Sequence, residues 1–115
     1  MKDDRIYLEH ILECLDWIGS HTAEGRESFM RDRKTQSAVL RELQTMAEST
    51  QRLRPALKAA HPSVPWQSIA GFRNLIVHDY LGVSLDWIWG VVEQDLPPLR
   101  TAVETMRDEP LADQG

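Results

Sequence analysis

Apolar residues recur every three or four positions along most of this chain, the spacing that paints one face of an α-helix. Ile6, Leu8, Ile11, Leu12, Leu15 and Ile18, with Trp17 beside them, predict a first helix from Asp4 to about Ser20, ended by Gly19-Ser20. Phe29 and Met30 mark a brief helix docking from a turn-like segment. Ala38, Val39, Leu43, Met46, Ala47 and Leu53 predict a second long helix from about Lys34 to Arg52. Pro55 suits the first turn of a short helix reaching about Ala60, because proline loses nothing where the amide is unpaired anyway. His61-Pro62-Ser63-Val64-Pro65 is expected to be extended, since residues before proline avoid the helical region. Pro65 opens the next helix, which stops near Gly82. Ser84 is the expected N-cap of SLDWIWGVVEQDL. Pro97-Pro98 breaks or kinks that helix, and LRTAVETMRD follows as the last. No stretch alternates with period two between turn signals, so no sheet is predicted. The pattern gives an all-α, up-and-down bundle of four or five helices, one domain over residues 1–109 with a frayed tail at 110–115.

Composition adds limits. At 115 residues, 42% hydrophobic and 27% charged, the chain has the make-up of a soluble globular domain with a single core. No apolar run approaches the roughly 18–20 residues of a bilayer span, so no membrane partner is expected. MKDDRIYLEH has no apolar h-region and does not read as a secretory signal. One cysteine, Cys14, allows no internal disulfide, and a reducing, cytoplasmic setting is expected. The net charge of −5 argues against indiscriminate nucleic-acid binding. Its distribution is uneven: residues 26–58 hold eight basic and four acidic residues, net +4, and the remainder five basic and fourteen acidic, net −9. That basic segment guides RNA locally, meets an acidic partner, or is simply a solvated helix face.

The chemistry concentrates in FRNLIVHDYLG, residues 72–82. With Arg73 at zero on a wheel of about 100° per residue, Tyr80 falls near −20°, on the arginine's stripe. Asn74 falls near 100° and His78 near 140°, an i, i+4 pair on the adjoining face. Apolar residues fill both other arcs, so the helix is buried on more than one side: the bundle core, and a second subunit. Unpartnered burial of these polar groups would be costly. They therefore meet one another, a solvent cleft, or their counterparts across a dimer axis. A network of Arg73 with Asp79 or Tyr80 that only orients the helix is the alternative.

The string R-N-x-x-x-H-x-Y on a late helix, after VPWQSIAGF and before DWIWGVVEQDLPPLR, resembles the HEPN superfamily, and closely the HepT-type toxins of minimal nucleotidyltransferase/HEPN systems. The likeness runs nearly the whole chain, through ILECLDWI, AVLRELQTMAEST, VPWQSIAGFRN and LPPLR. It departs at Ala47, where the family tends to carry glycine before the glutamate, which leaves Glu48 a supporting residue at most, with Asp79. The resemblance implies a homodimeric, metal-independent endoribonuclease, without cofactor, whose paired motifs face one cleft. Arg73 would hold the phosphate as charge builds, His78 would move the proton, and Asn74 would hold phosphate or orient the imidazole. It also implies the toxin of a type VII-like toxin–antitoxin system, acting on RNA rather than DNA. Its partner would be an MntA-like nucleotidyltransferase antitoxin that places AMP on Tyr80. A non-catalytic HEPN binding module partnering a nucleotidyltransferase is the second reading.

Other residues promise less. His10 and Cys14 are spaced i, i+4 but show no matching ligand pair, so no metal site is expected. His21 and His61 fall in connections. Trp17, Trp66, Trp87 and Trp89 read as core or interface anchors. No phosphate-binding glycine loop, nucleophile elbow or carboxylate cluster is present.

Overall fold

In the computed structural model the long helices are α1 (Asp4–His21), α3 (Arg33–Gln51), α5 (Trp66–His78) and α7 (Leu96–Asp108). Short helices α2 (Arg26–Arg31), α4 (Pro55–Ala59) and α6 (Leu85–Gly90) join them. The structure describes residues 4–78 and 84–109, with 74–78 as backbone alone, and no strand occurs among the described residues. The predicted end of the motif helix near Gly82 lies outside them.

α3 lies between α1 and α5, and α1 lies between α3 and α7. The seam of α1 and α3 is mainly apolar: Leu8, Ile11, Leu15 and Ile18 from α1 and Val39, Leu43 and Met46 from α3 are all buried in one core cluster. Ile69 and Phe72 extend this core from α5, and Leu99, Val103 and Met106 close it from α7. Phe29, on the expected brief helix α2, is buried and tilts against Trp89 with ring centroids 5.4 Å apart. At roughly 1.5–3 kcal/mol for each large aliphatic side chain withdrawn from water, this shared core is what holds the helices in register.

The caps explain the boundaries. Asp32 accepts from the Lys34 N–H at 3.0 Å and the Thr35 hydroxyl at 2.7 Å, which starts α3. The Thr35 hydroxyl is the main reason the Asp32 carboxyl is held below the usual carboxylate range. Pro55 occupies the first turn of α4, and Ser84 Oγ accepts from the Trp87 N–H at 3.2 Å, as expected. At prolines 97 and 98 the expected break does not occur. Instead of a break, the chain stays helical from α6 into α7 through one widened π turn, Val91–Asp95. There the Leu96 N–H reaches back five residues to the Val91 carbonyl. Both prolines then fall in the first turn of α7, where missing amides cost little.

One contact ties the start of the chain to the start of α4. Asp4 is buried, and its carboxylate accepts from the Arg54 Nε at 2.5 Å and the Arg54 backbone N–H at 3.2 Å. It thereby caps α4 from α1. Asp4→Ala would leave that amide and a half-exposed guanidinium without the acceptor. The expected cost is about 2 kcal/mol, read as a fall of roughly 5–10 °C in Tm; a Tm within a degree of wild type would contradict this role.

Candidate active site

α5 delivers the motif. Its apolar side seats Ile69 and Phe72 in the core, which turns the neighbouring Arg73 outward to a half-buried position. The guanidinium Nη1 donates to the amide oxygen of Gln51 at 3.1 Å. Gln51 is the last residue of α3, twenty-two positions earlier in the chain, so the contact spans two helices. Periodicity could not reveal it: Gln51 stands at the polar end of a helix with nothing to set it apart. Its chemistry matters because an amide oxygen is neutral. It orients the guanidinium by one hydrogen bond without cancelling the charge, and it is the one acceptor that Arg73 meets among the described residues.

Phe72 also supports a second wall. Trp87 of α6 meets it edge-on, with centroids 5.6 Å apart at 83°, and stays 42% exposed. Apolar surface is thus left open beside the motif helix. An exposed ion pair between Arg26 and Asp86 links α2 to α6.

Of the other expected site residues, Glu48 lies exposed on α3, one turn before Gln51, and makes no hydrogen bond or ion pair to Arg73 among the described residues. Asn74 and His78 fall in α5, but their side chains lie outside the described residues. Asp79 and Tyr80 lie outside them altogether.

The His10 and Cys14 pair proves structural. His10 Nδ1 and Ser49 Oγ share a hydrogen bond of 2.5 Å, and Cys14 Sγ lies 3.7 Å from His10 Nε2. The first of these contacts crosses the α1–α3 seam, and the second joins residues one turn apart on α1. Burial foremost, then the charge of Glu42 and its hydrogen bond, push the Cys14 thiol up to about 12. A thiol raised in this way favours the fold below its ordinary pKa near 9.0, and that contribution is lost as pH climbs toward 12. Among the described residues no group of three or more His, Cys, Asp or Glu could hold a metal ion. His21 ends α1 rather than lying beyond it, and stacks on Trp17 at 5.8 Å. Trp89 is buried in the core and Trp66 half-buried, its Nε1–H donating to the Lys58 and His61 carbonyls at 3.0 Å each. Trp17 is 52% exposed.

A pocket of about 270 Å³ between Leu15, Ile18 and Gly19 of α1 and Leu96 and Arg100 of α7 lies toward the far end of α1 from Asp4. It therefore belongs to a different region from Arg73. No helix among the described residues is long and apolar enough to cross a membrane.

Comparison with known proteins gives one consistent family. The family model described as "Ribonuclease HepT-like" matches residues 11–106. "Probable ribonuclease HepT" of Thermococcus cleftensis is 36% identical over 107 residues, which cover 92% of this chain and 97% of that protein. A protein named "Putative RNase" from Caldanaerobacter subterraneus subsp. tengcongensis is 35% identical over 105 residues, 90% of this chain and 94% of its own. Another "Putative RNase", from Methanocaldococcus jannaschii, is 34% identical over 97 residues, covering 84% and 80%. No solved structure matches significantly. With its helical architecture and a match that includes the segment carrying Arg73 and His78, the chain belongs to the ribonuclease HepT-like family.

Proposed function

We propose that this protein is an endoribonuclease toxin that cleaves RNA without a metal ion, as a homodimer. The observation that carries the reading is Arg73. In a ribonuclease HepT-like chain, this motif cation is presented on α5 and oriented by a neutral acceptor. A guanidinium held in this way is ready for a phosphodiester.

In the proposed reaction the ribose 2′-hydroxyl attacks the adjacent phosphorus, and the 5′-oxygen leaves with a proton. His78 accepts or donates that proton, since an unperturbed imidazole titrates close to neutrality. Arg73 holds the non-bridging oxygens with paired N–H donors as charge accumulates. Asn74 assists at the phosphate or at the imidazole, and Glu48 and Asp79 are supporting residues. Each chain supplies one motif histidine. A dimer cleft would let one act as base and the other as acid. Exposed Trp87, packed on Phe72 next to Arg73, supports the dimer by leaving apolar surface open beside the motif.

Regulation follows the same residues. A nucleotidyltransferase antitoxin would transfer AMP from ATP to the Tyr80 hydroxyl, the phenolic oxygen bonding the α-phosphorus as pyrophosphate and the phenolic proton leave. The added phosphate would compete for the Arg73 guanidinium.

Three outcomes are expected. Wild-type protein cleaves single-stranded RNA in EDTA, and Arg73→Ala or His78→Ala lowers the rate by about 10²–10⁴-fold. Equal cleavage by wild type and His78→Ala would remove the histidine from the chemistry. Gln51→Glu replaces the neutral acceptor with an anion that competes with phosphate, so KM is expected to rise about fivefold, the size of an exposed ion pair. The loss should shrink as salt is raised, whereas Gln51→Ala shows no such salt effect. A kcat loss without change in KM would contradict this. Coexpressed with its nucleotidyltransferase and ATP, the protein gains one adenylate by intact mass, and Tyr80→Phe does not; an unmodified wild-type mass would count against the regulatory step.

A further inference from the structure

The solvent face of α3 is cationic along its length. With Arg41 at zero and about 100° per residue, Lys34 and Arg52 fall near +20° and Glu48 near −20°. All four are exposed. Val39, Leu43, Met46 and Thr50, all buried, lie on the opposite side, within about 40° of 180°. The stripe therefore points straight away from the core.

Its cations are barely spent on the protein's own acids: the Lys34 charge helps to hold the Asp32 carboxyl down, behind the capping hydrogen bonds. None of Lys34, Arg41 and Arg52 forms an ion pair among the described residues. Asp32 turns both carboxylate oxygens to capping α3, and Glu42 faces the Cys14 thiol across the α1 seam. In a chain of 18 acidic and 13 basic residues, an ordinary solvated face would mix the signs. Here Glu48 is the single interruption, and the stripe keeps a net charge of +2. A cation with no acid to release is available to a phosphate at lower cost than a paired one.

The stripe also leads to the candidate site. Lys34 to Arg52 spans about 27 Å at the helical rise, and Arg52 directly follows Gln51, the residue that holds Arg73. We propose that this face of α3 is the track on which the phosphate backbone of single-stranded RNA runs to Arg73. Lys34, Arg41 and Arg52 are the phosphate contacts. The choice of RNA rests on the ribonuclease reading above. Contacts of this kind fix the register of the strand without reading bases, and a line of three cations matches one strand better than a duplex.

The test is binding of a fluorescent oligodeoxyuridine of about 12 nucleotides, which lacks the attacking hydroxyl, across a salt series. Each single-strand phosphate contact contributes about −0.7 to the slope of log affinity against log salt. The triple variant Lys34→Ala/Arg41→Ala/Arg52→Ala should therefore lose about 2 from that slope, bind about 100-fold more weakly near 0.1 M salt, and converge on wild type near 1 M. Glu48→Gln should tighten binding, a change of sign that misfolding cannot mimic. An unchanged slope in the triple variant overturns the track. So does a triple variant that keeps the slope but no longer binds an acidic protein partner, which would make α3 a protein-docking face. Cleavage of the matching oligoribonucleotide by wild type tests the ribonuclease reading separately: if nothing is cut, that reading fails while the slope still decides the track.

Discussion

Everything at the candidate site depends on α3 being gripped on two sides. α1 and α5 both pack against it, and Val39, Leu43 and Met46 have no exposure left. A helix fixed by so much apolar contact cannot roll without opening the core. Its C-terminal end is therefore a rigid bracket. Gln51 leaves it toward Arg73, and Arg54, just beyond, is caught by Asp4 from the first turn of α1. Three distant stretches of sequence are thus brought to one end of the bundle, where polar contacts join them.

The polar contacts that remain divide by charge in a way that fits their burial. Asp4–Arg54 joins opposite charges where the carboxylate is withdrawn from water, and the capped amide supplies the additional hydrogen bond that buried ions require. Arg73 meets a neutral amide where solvent has access. The first arrangement fixes a fold; the second keeps a charge in reserve. His10, Ser49 and Cys14 are a third case. They are polar groups enclosed between α1 and α3 that satisfy one another and leave the thiol protonated.

Much of this was legible in the sequence. The boundaries of α1, α3 and α4 follow from apolar spacing, from Pro55 and from the flanking turn residues, all local signals. Ser84 was readable as a cap because a hydroxyl before an apolar run has one obvious task. Contacts between distant residues left no such trace. Asp4 looks like an ordinary acid at a helix start, favourable to the dipole and wet; only the fold shows Arg54 arriving above it. Gln51 is uninformative for the same reason. The family was legible through the residue types of FRNLIVHDYLG and their setting, while the placement of Arg73 against α3 came only with the fold. The two prolines do not break the helix, because the rule for a break is stated for regular winding. A turn of wider pitch absorbs the missing donors without ending the helix.

That wider turn has an evolutionary side. A π turn amounts to one residue inserted into an otherwise continuous helix, and here it separates Ile88 and Trp89, on the core side of α6, from Leu99 and Val103 on α7. Deleting any one residue from Val91–Asp95 would restore regular winding, yet swing the two apolar sets apart by about a quarter turn. Relatives should therefore keep the length of this stretch fixed and an apolar residue at the buried Val91, while the exposed positions Glu93 and Gln94 vary. In this family, a one-residue gap there would signal a different seating of the last helix rather than a harmless loop change.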